Sequence, residues 1–142
     1  MDWKLNFIEA KYHLSVAMRM MDSYEEYPGK RFLVGIINET ARATSKLIRA
    51  FLIYDKIKVK NLKVFFKLIV PKYLDRETSN NLFKILEVEK AQKISPIEFT
   101  RGDKIILLIN GKYRFLTINR IEEFMKSVSN GIVAFPGKFQ QI

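Results

Sequence analysis

Between Lys30 and Tyr54 the residues Leu33, Ile37, Thr40, Thr44, Leu47 and Phe51 follow one another at steps of three and four, and Ile36, Ala41, Ala43 and Ile48 widen that stripe. A period near 3.6 residues is the only regular backbone that puts these side chains on one face, so the segment reads as a long helix buried along most of its length. Glu39, Arg42, Lys46 and Arg49 make its opposite, charged face. The stretch before it, Asp2–Tyr27, reads the same way: Phe7, Leu14, Met18 and Met21 fall at helical spacing with Ala10 and Ala17 on the same side. Lys11 interrupts that stripe, and its stem can snorkel. Pro28-Gly29 ends the first helix. So short a break makes the two helices antiparallel neighbours, an αα-hairpin, and Ala41, Ala43 and Thr44 let them approach closely.

Two shorter helices are expected next. Asn61 is a plausible N-cap for a helix over Asn61–Tyr73 that buries Leu62, Phe65, Phe66 and Ile69, with Pro71 ending or kinking it. Asp75 can cap a helix that buries Leu82, Phe83, Ile85 and Leu86, runs to about Lys93 and stops before Ser95-Pro96. The pattern then changes. Asp103–Ile109 is apolar and β-branched, Asn110-Gly111 follows, then Lys112–Ile118, which together predict a hairpin over about residues 103–118, because both central residues of a type I′ turn take positive φ. A last helix over about 119–134 starts near Thr117–Asn119, where Asn119 and Glu122 have capping-box spacing. Ile121, Phe124, Met125 and Val128 give it an apolar face, and Asn130-Gly131 interrupts or ends it. The tail from Ala134 to Ile142 holds Phe135, Pro136-Gly137, Phe139 and Ile142, and is expected to pack on its own body or on a partner. The expected fold is mainly α: one domain over 1–142, an up-and-down bundle of four or five helices with its bundle proper over 2–93, and a small β-hairpin inserted before the last helix.

The 142 residues suffice to bury a sizeable core without staples, and none is cysteine, which excludes disulfides, thiolate zinc sites and thiol catalysis. His13 is the sole histidine, so no multi-histidine metal site exists; beside the apolar stripe it reads as a boundary or surface residue. The six glycines are scattered, with no phosphate loop among them. Arg101-Gly102-Asp103 reads as a turn into the hairpin. Glu25-Glu26 sits at a helix end, and Glu122-Glu123 in a first turn where acids suit the macrodipole. Met18, Met20 and Met21 read as core filling, with Met20 off the stripe and open to a dimer contact. Met1–Glu9 carries Asp2, Lys4 and Glu9 and no apolar run, and Ile105–Ile109 is far too short to span a bilayer; a soluble, cytoplasmic protein without metal or cofactor is expected.

The formal net charge is +10. Two readings of it stand: a lysine-rich thermophile surface, or a surface for a polyanion. Lys56, Lys58 and Lys60, continued by Lys63, Lys67 and Lys72, are the sharpest charge feature, with Lys60, Lys63 and Lys67 on one face of the third helix. Several lysines so placed would give salt-dependent, sequence-independent nucleic-acid binding; the plain alternative is a solvated lysine face. No arginine-rich groove helix and no exposed aromatic platform is legible, so base readout is not expected. The hairpin edge and the apolar tail motivate a symmetric homodimer.

The second helix, with Ala41-Arg-Ala-Thr-Ser-Lys-Leu-Ile-Arg-Ala-Phe-Leu52, and the αα-hairpin around it are similar to the HEPN-type helical bundle, a superfamily that includes the substrate-binding partners of minimal nucleotidyltransferases. Ser95-Pro-Ile-Glu-Phe-Thr-Arg101, followed by a hairpin and a helix, resembles a group of archaeal proteins associated with that bundle. The helical resemblance covers roughly residues 2–93. It implies an up-and-down bundle, homodimerisation, and association with nucleotide, RNA or a nucleotidyltransferase. HEPN ribonucleases place a histidine four to six residues after an arginine, and this chain has no histidine after His13, so the resemblance implies a binding or accessory role and no nuclease. The alternative is an enzyme whose polar residues Glu39, Arg42, Glu98 and Arg101 converge only in the fold; Glu98 and Arg101 equally suit fixing the turn before the hairpin.

Overall fold

A computed structural model of the chain describes residues 2–94, 99–101, 104–109 and 111–137, and every structural statement below concerns these. Helix α1 spans Trp3–Glu26 and α2 spans Lys30–Tyr54, antiparallel across the Tyr27–Gly29 break. A short α3 (Leu62–Val64), a π-helical segment (Phe65–Ile69) and α4 (Val70–Tyr73) follow one another directly, and α5 spans Arg76–Ile94. Strands β1 (Phe99–Arg101), β2 (Lys104–Ile109) and β3 (Lys112–Thr117) form an antiparallel sheet in that order, and α6 (Ile118–Ala134) closes the described chain. The molecule is thus mainly helical, with a small hairpin before the last helix.

Helix α2 is the axis of the core. Leu33, Ile36, Ile37, Thr40, Ala41, Ala43, Thr44, Leu47, Ile48 and Phe51 are all buried, as their spacing predicts, and α2 touches α1, α5, α6 and the π-helical segment. The two threonines are tolerated because each hydroxyl donates one turn back, Thr40 to the Ile36 carbonyl (2.7 Å) and Thr44 to the Thr40 carbonyl (2.9 Å). Helix α1 packs on it through Phe7, Ala10, Leu14, Ala17, Met21 and Tyr24. Met18, expected in that stripe, is 54% exposed and stands at its edge. Met20 lies over Gly35 of α2, where a Cβ would overlap its Cε; its contact is within the chain.

The third helix passes through Pro71 without ending. The Val70 amide reaches back to the Phe65 carbonyl, a π-type bond, and this wide turn sets Pro71 at the start of a new helical stretch, where its missing N–H leaves nothing unpaired. Phe65 and Ile69 are fully buried, whereas Leu62 and Phe83, expected in the core, lie at the surface. Phe83 instead meets the half-buried Phe66 edge to face, centroids 5.8 Å apart. Asp75 caps α5 as expected, accepting from the Thr78 amide (2.7 Å).

In the hairpin Ile106 pairs with Phe115 and Ile109 with Lys112, and Gly111 takes the positive φ (77°) of its turn. Strand β1, unforeseen in the Ser-Pro-bounded stretch, adds a third strand by pairing Phe99 with Ile106. Ile105, Leu107 and Leu116 are buried on the side facing α5 and α6. The cap of α6 is Thr117, whose hydroxyl accepts from the Arg120 amide (3.1 Å); the expected cap, Asn119, is already helical because β3 delivers Thr117 in extended conformation. Nor does Asn130-Gly131 end the helix. Gly131 is buried within α6, where a Cβ would stand 2.7 Å from Leu47 Cδ2, so its role is close approach to α2. Past α6, Phe135 is buried among Trp3, Phe7, Phe51 and Tyr54. That part of the tail packs on the chain's own body; Phe139 and Ile142 lie outside the described residues.

Candidate functional site

The C-terminal half of α2, the start of α3 and the end of α5 enclose a groove of about 610 Å³. Each helix contributes one feature of it for a reason legible in its own residues. Lys46 and Arg49, three apart on the charged face of α2, stand on one wall. Lys90 and Lys93, also three apart, stand on the other, in the last turns of α5 where the macrodipole favours cations. Lys60 closes the end, just before Asn61, whose side chain accepts from the Val64 amide (2.8 Å) and so fixes the start of α3. Ile48, Leu52, Leu62, Leu86 and Ile94 supply apolar surface between these cations, which explains why Leu62 is left uncovered.

The lining therefore holds five cations against one acid, Glu89. Glu89 pairs with Lys93 (3.3 Å), and Glu9 reaches Lys46 (2.8 Å) from α1. The Lys60 ammonium donates to the Ile57 carbonyl (3.0 Å). Among the described residues Arg49 and Lys90 have no acidic partner. Partly exposed pairs of this kind contribute little to stability.

Of the lysines singled out in the sequence, only Lys60 belongs to this groove. Lys56 terminates α2 in the left-handed region (φ 58°), with its amide bonded to the Ile53 carbonyl (3.0 Å) and the Ile57 amide to the Leu52 carbonyl (2.9 Å), a Schellman closure. Lys58, Lys63 and Lys67 are exposed but do not line the groove. Lys46, Arg49, Lys90 and Lys93 were missed as a set, because a pattern read along the chain cannot show that the charged face of α2 and the end of α5 converge. Their i, i+3 spacing was the available signal.

The four polar candidates fare differently. Glu39 and Arg42 do meet: Arg42 Nη1 donates to Glu39 Oε1 (2.7 Å), and His13 Nδ1 donates to Glu39 Oε2 (2.6 Å), linking α1 to α2. Neither lines the α2–α5 groove. Glu98 lies outside the described residues, and Arg101 ends β1, its backbone paired with Lys104. A further polar cluster at Asp55 accepts from Lys72 (3.0 Å) and from the Tyr73 hydroxyl (2.8 Å). The Asp55 carboxylate raises the pKa of both groups, chiefly through those hydrogen bonds. Asp75 is shifted the other way, below the usual carboxylate range, by the Thr78 amide it accepts from. No group of three or more histidines, aspartates or glutamates among the described residues is placed to hold a metal ion, and no helix there is long and apolar enough to cross a membrane.

Comparison with protein-family models, with curated proteins and with solved structures gives no match to this chain.

Proposed function

We propose that the chain is a non-enzymatic binding module whose α2–α5 groove holds the phosphate backbone of nucleic acid, RNA foremost, as an accessory protein of the HEPN-like kind and beside a nucleotidyltransferase. One observation carries the reading: Lys46, Arg49, Lys60, Lys90 and Lys93, from three separate stretches of chain, ring one groove with a single acid among them. A surface that merely keeps a protein soluble mixes both signs of charge. Convergence of one sign on a concave wall focuses the field and draws in an anion. The apolar floor suits the sugar and base portions between phosphates.

The test is fluorescence anisotropy with a labelled single-stranded RNA between about 50 and 200 mM salt. Five phosphate contacts give a slope of log K against log salt of about −3.5, since each contributes about −0.7 for a single strand. The double variant Lys90→Gln, Lys93→Gln weakens binding and flattens that slope by about 1.4. Lys56→Gln with Lys58→Gln, outside the groove, changes the slope less. Absence of binding at low salt, or a slope untouched by the Lys90 and Lys93 changes, overturns the reading.

A further inference from the structure

Helices α1 and α6 leave a groove of about 380 Å³ between the second half of α1 and the middle of α6, and it shares no lining residue with the α2–α5 groove. Met18, Met21, Asp22 and Glu25 follow the i, i+3, i+4, i+7 pattern along α1, and Glu122, Met125, Lys126 and Ser129 follow it along α6. Each helix therefore turns one continuous strip toward the groove. Met21 and Met125 form a buried floor, and Met18 stands exposed beside them. Asp22 and Glu25 make one wall acidic and Glu122 the other, and among the described residues that line the groove Lys126 is the one cation. The three acids are exposed, and none of them is in an ion pair among the described residues. On a chain of net charge +10 this local excess of acid runs against the overall balance. Glu25 also runs against its own helix. The last turn of α1 has no basic residue, so an acid there meets the negative end of the macrodipole and the open carbonyls with nothing to offset it. Phe135, just past α6, packs on Trp3 and Phe7 at the start of α1, so the two helices run antiparallel. Glu122 consequently lies toward the same end of the groove as Glu25.

We infer that the α1–α6 groove receives a basic amphipathic helix of a partner protein, with its apolar side chains on Met18, Met21 and Met125 and its lysines or arginines over Asp22, Glu25 and Glu122. A groove between two helices takes a third along its length, held by apolar anchors at i, i+3 or i+4 and i+7. Methionine suits such a floor, because its unbranched thioether adapts to whichever anchor arrives. Charge selects the partner: acids on both walls repel nucleic acid and acidic peptides and orient a cationic helix. A cation carried to the end of α1 also answers the macrodipole that Glu25 opposes. An isologous contact with a second copy would set six acids against two lysines, which disfavours it as the occupant. The inference stands apart from the nucleic-acid reading, since it uses neither the residues of that groove nor its ligand.

The probe is a labelled leucine–lysine peptide of about 18 residues, long enough to be helical, with its leucines at helical spacing. Two controls accompany it: the same composition scrambled, and the same pattern with glutamate for lysine. The full chain is expected to bind the patterned peptide and neither control. Asp22→Asn, Glu25→Gln and Glu122→Gln together weaken it roughly three- to one-hundred-fold, and Lys126→Glu tightens it up to about fivefold. Methionine-methyl NMR locates the site: the peptide moves the Met18, Met21 and Met125 signals and leaves that of Met20, which lies over Gly35. Glu25→Gln alone weakens binding while its melting temperature stays at or above the wild-type value, because it takes an acid from the negative end of α1. A purely structural role for Glu25 would lower that temperature instead. All four substituted side chains are exposed, and thermal melting checks that each variant folds. No binding of the patterned peptide at low salt, a scrambled peptide bound equally well, affinity untouched by the acid variants, or a shift at Met20 in place of the groove methionines would each overturn the inference. So would a wild type that self-associates in sedimentation and a Met18→Ser variant that does not, which would assign the groove to a second copy.

Discussion

Lys56 occupies a backbone conformation that costs an L-residue about 1–2 kcal/mol, at the position where helices most often place glycine. The strain is tolerated because the Schellman closure it permits pairs two carbonyls at the end of α2 and tucks Ile57 against the core. Lys56→Gly is therefore expected to raise stability by up to about 1 kcal/mol, the relief of strain being partly offset by the freer unfolded chain, and urea unfolding measures it. The same residue shows how a composition-based reading goes astray. In the sequence Lys56 looks like the first member of a phosphate-binding run, yet its backbone serves a helix end. Nothing in residues 55–58 signals that end as Pro28-Gly29 does for α1, because a lysine at a C′ position is uncommon. His13 is the converse case. Its spacing beside the α1 stripe reads as boundary or surface, and it is partly buried, but its partner Glu39 is 26 residues away, so no local pattern could reveal the pair.

At the scale of elements, α5 and α6 are joined by a buried hydrogen bond, Asn81 Nδ2 donating to Ser127 Oγ (2.8 Å). Asn81 is predicted neither as core nor as a polar contact, since an asparagine early in a helix normally faces water. Ser127→Ala leaves that amide buried without its acceptor and is expected to cost about 1–3 kcal/mol, read from the urea midpoint; Asn81→Leu with Ser127→Ala should recover part of the loss. Helix types and most boundaries were legible because period and caps are local: the α2 stripe, Asp75 at the start of α5, and Gly111 in the hairpin turn. The misjudged details were those set by a neighbouring element. Asn130-Gly131 reads as an interruption or end of the last helix, but Gly131 serves as the point where α6 closes on Leu47. Leu62 and Phe83 read as core but fall beyond its edge, and at Pro71, which reads as an end or a kink, a preceding π-turn carries the helix on to Tyr73.

For the whole molecule the decisive contact joins its two ends. Phe135 stacks on Phe7 (centroids 4.6 Å apart) and meets Trp3, Phe51 and Tyr54, so the segment after α6 ties α1 and α2 together. Phe135→Ala is expected to cost about 3–5 kcal/mol, measured by urea unfolding, and to change the fluorescence of Trp3, the single tryptophan, in the native state. The net charge is likewise a whole-molecule property. A value of +10 is readable by counting, but its distribution is not: the acids accompany Lys46 and Lys93 and leave Arg49 and Lys90 without acidic partners among the described residues. That asymmetry leaves the α2–α5 groove lined by five cations and one acid.

By itself the sequence determined the helical class, the antiparallel pairing of α1 with α2, the hairpin before the last helix, and the exclusion of thiol and multi-histidine chemistry. Each follows from residue type and from spacings shorter than about ten residues, over which side-chain direction is dictated by backbone period. The tertiary structure alone decided that Lys60 shares a groove with Lys46, Arg49, Lys90 and Lys93, that Glu39 and Arg42 meet His13, and that Tyr113 and Phe115 stay in solvent. Those outcomes depend on which face each element turns toward another, and that is settled by close packing of the assembled core, where one glycine or alanine sets how near two helices lie.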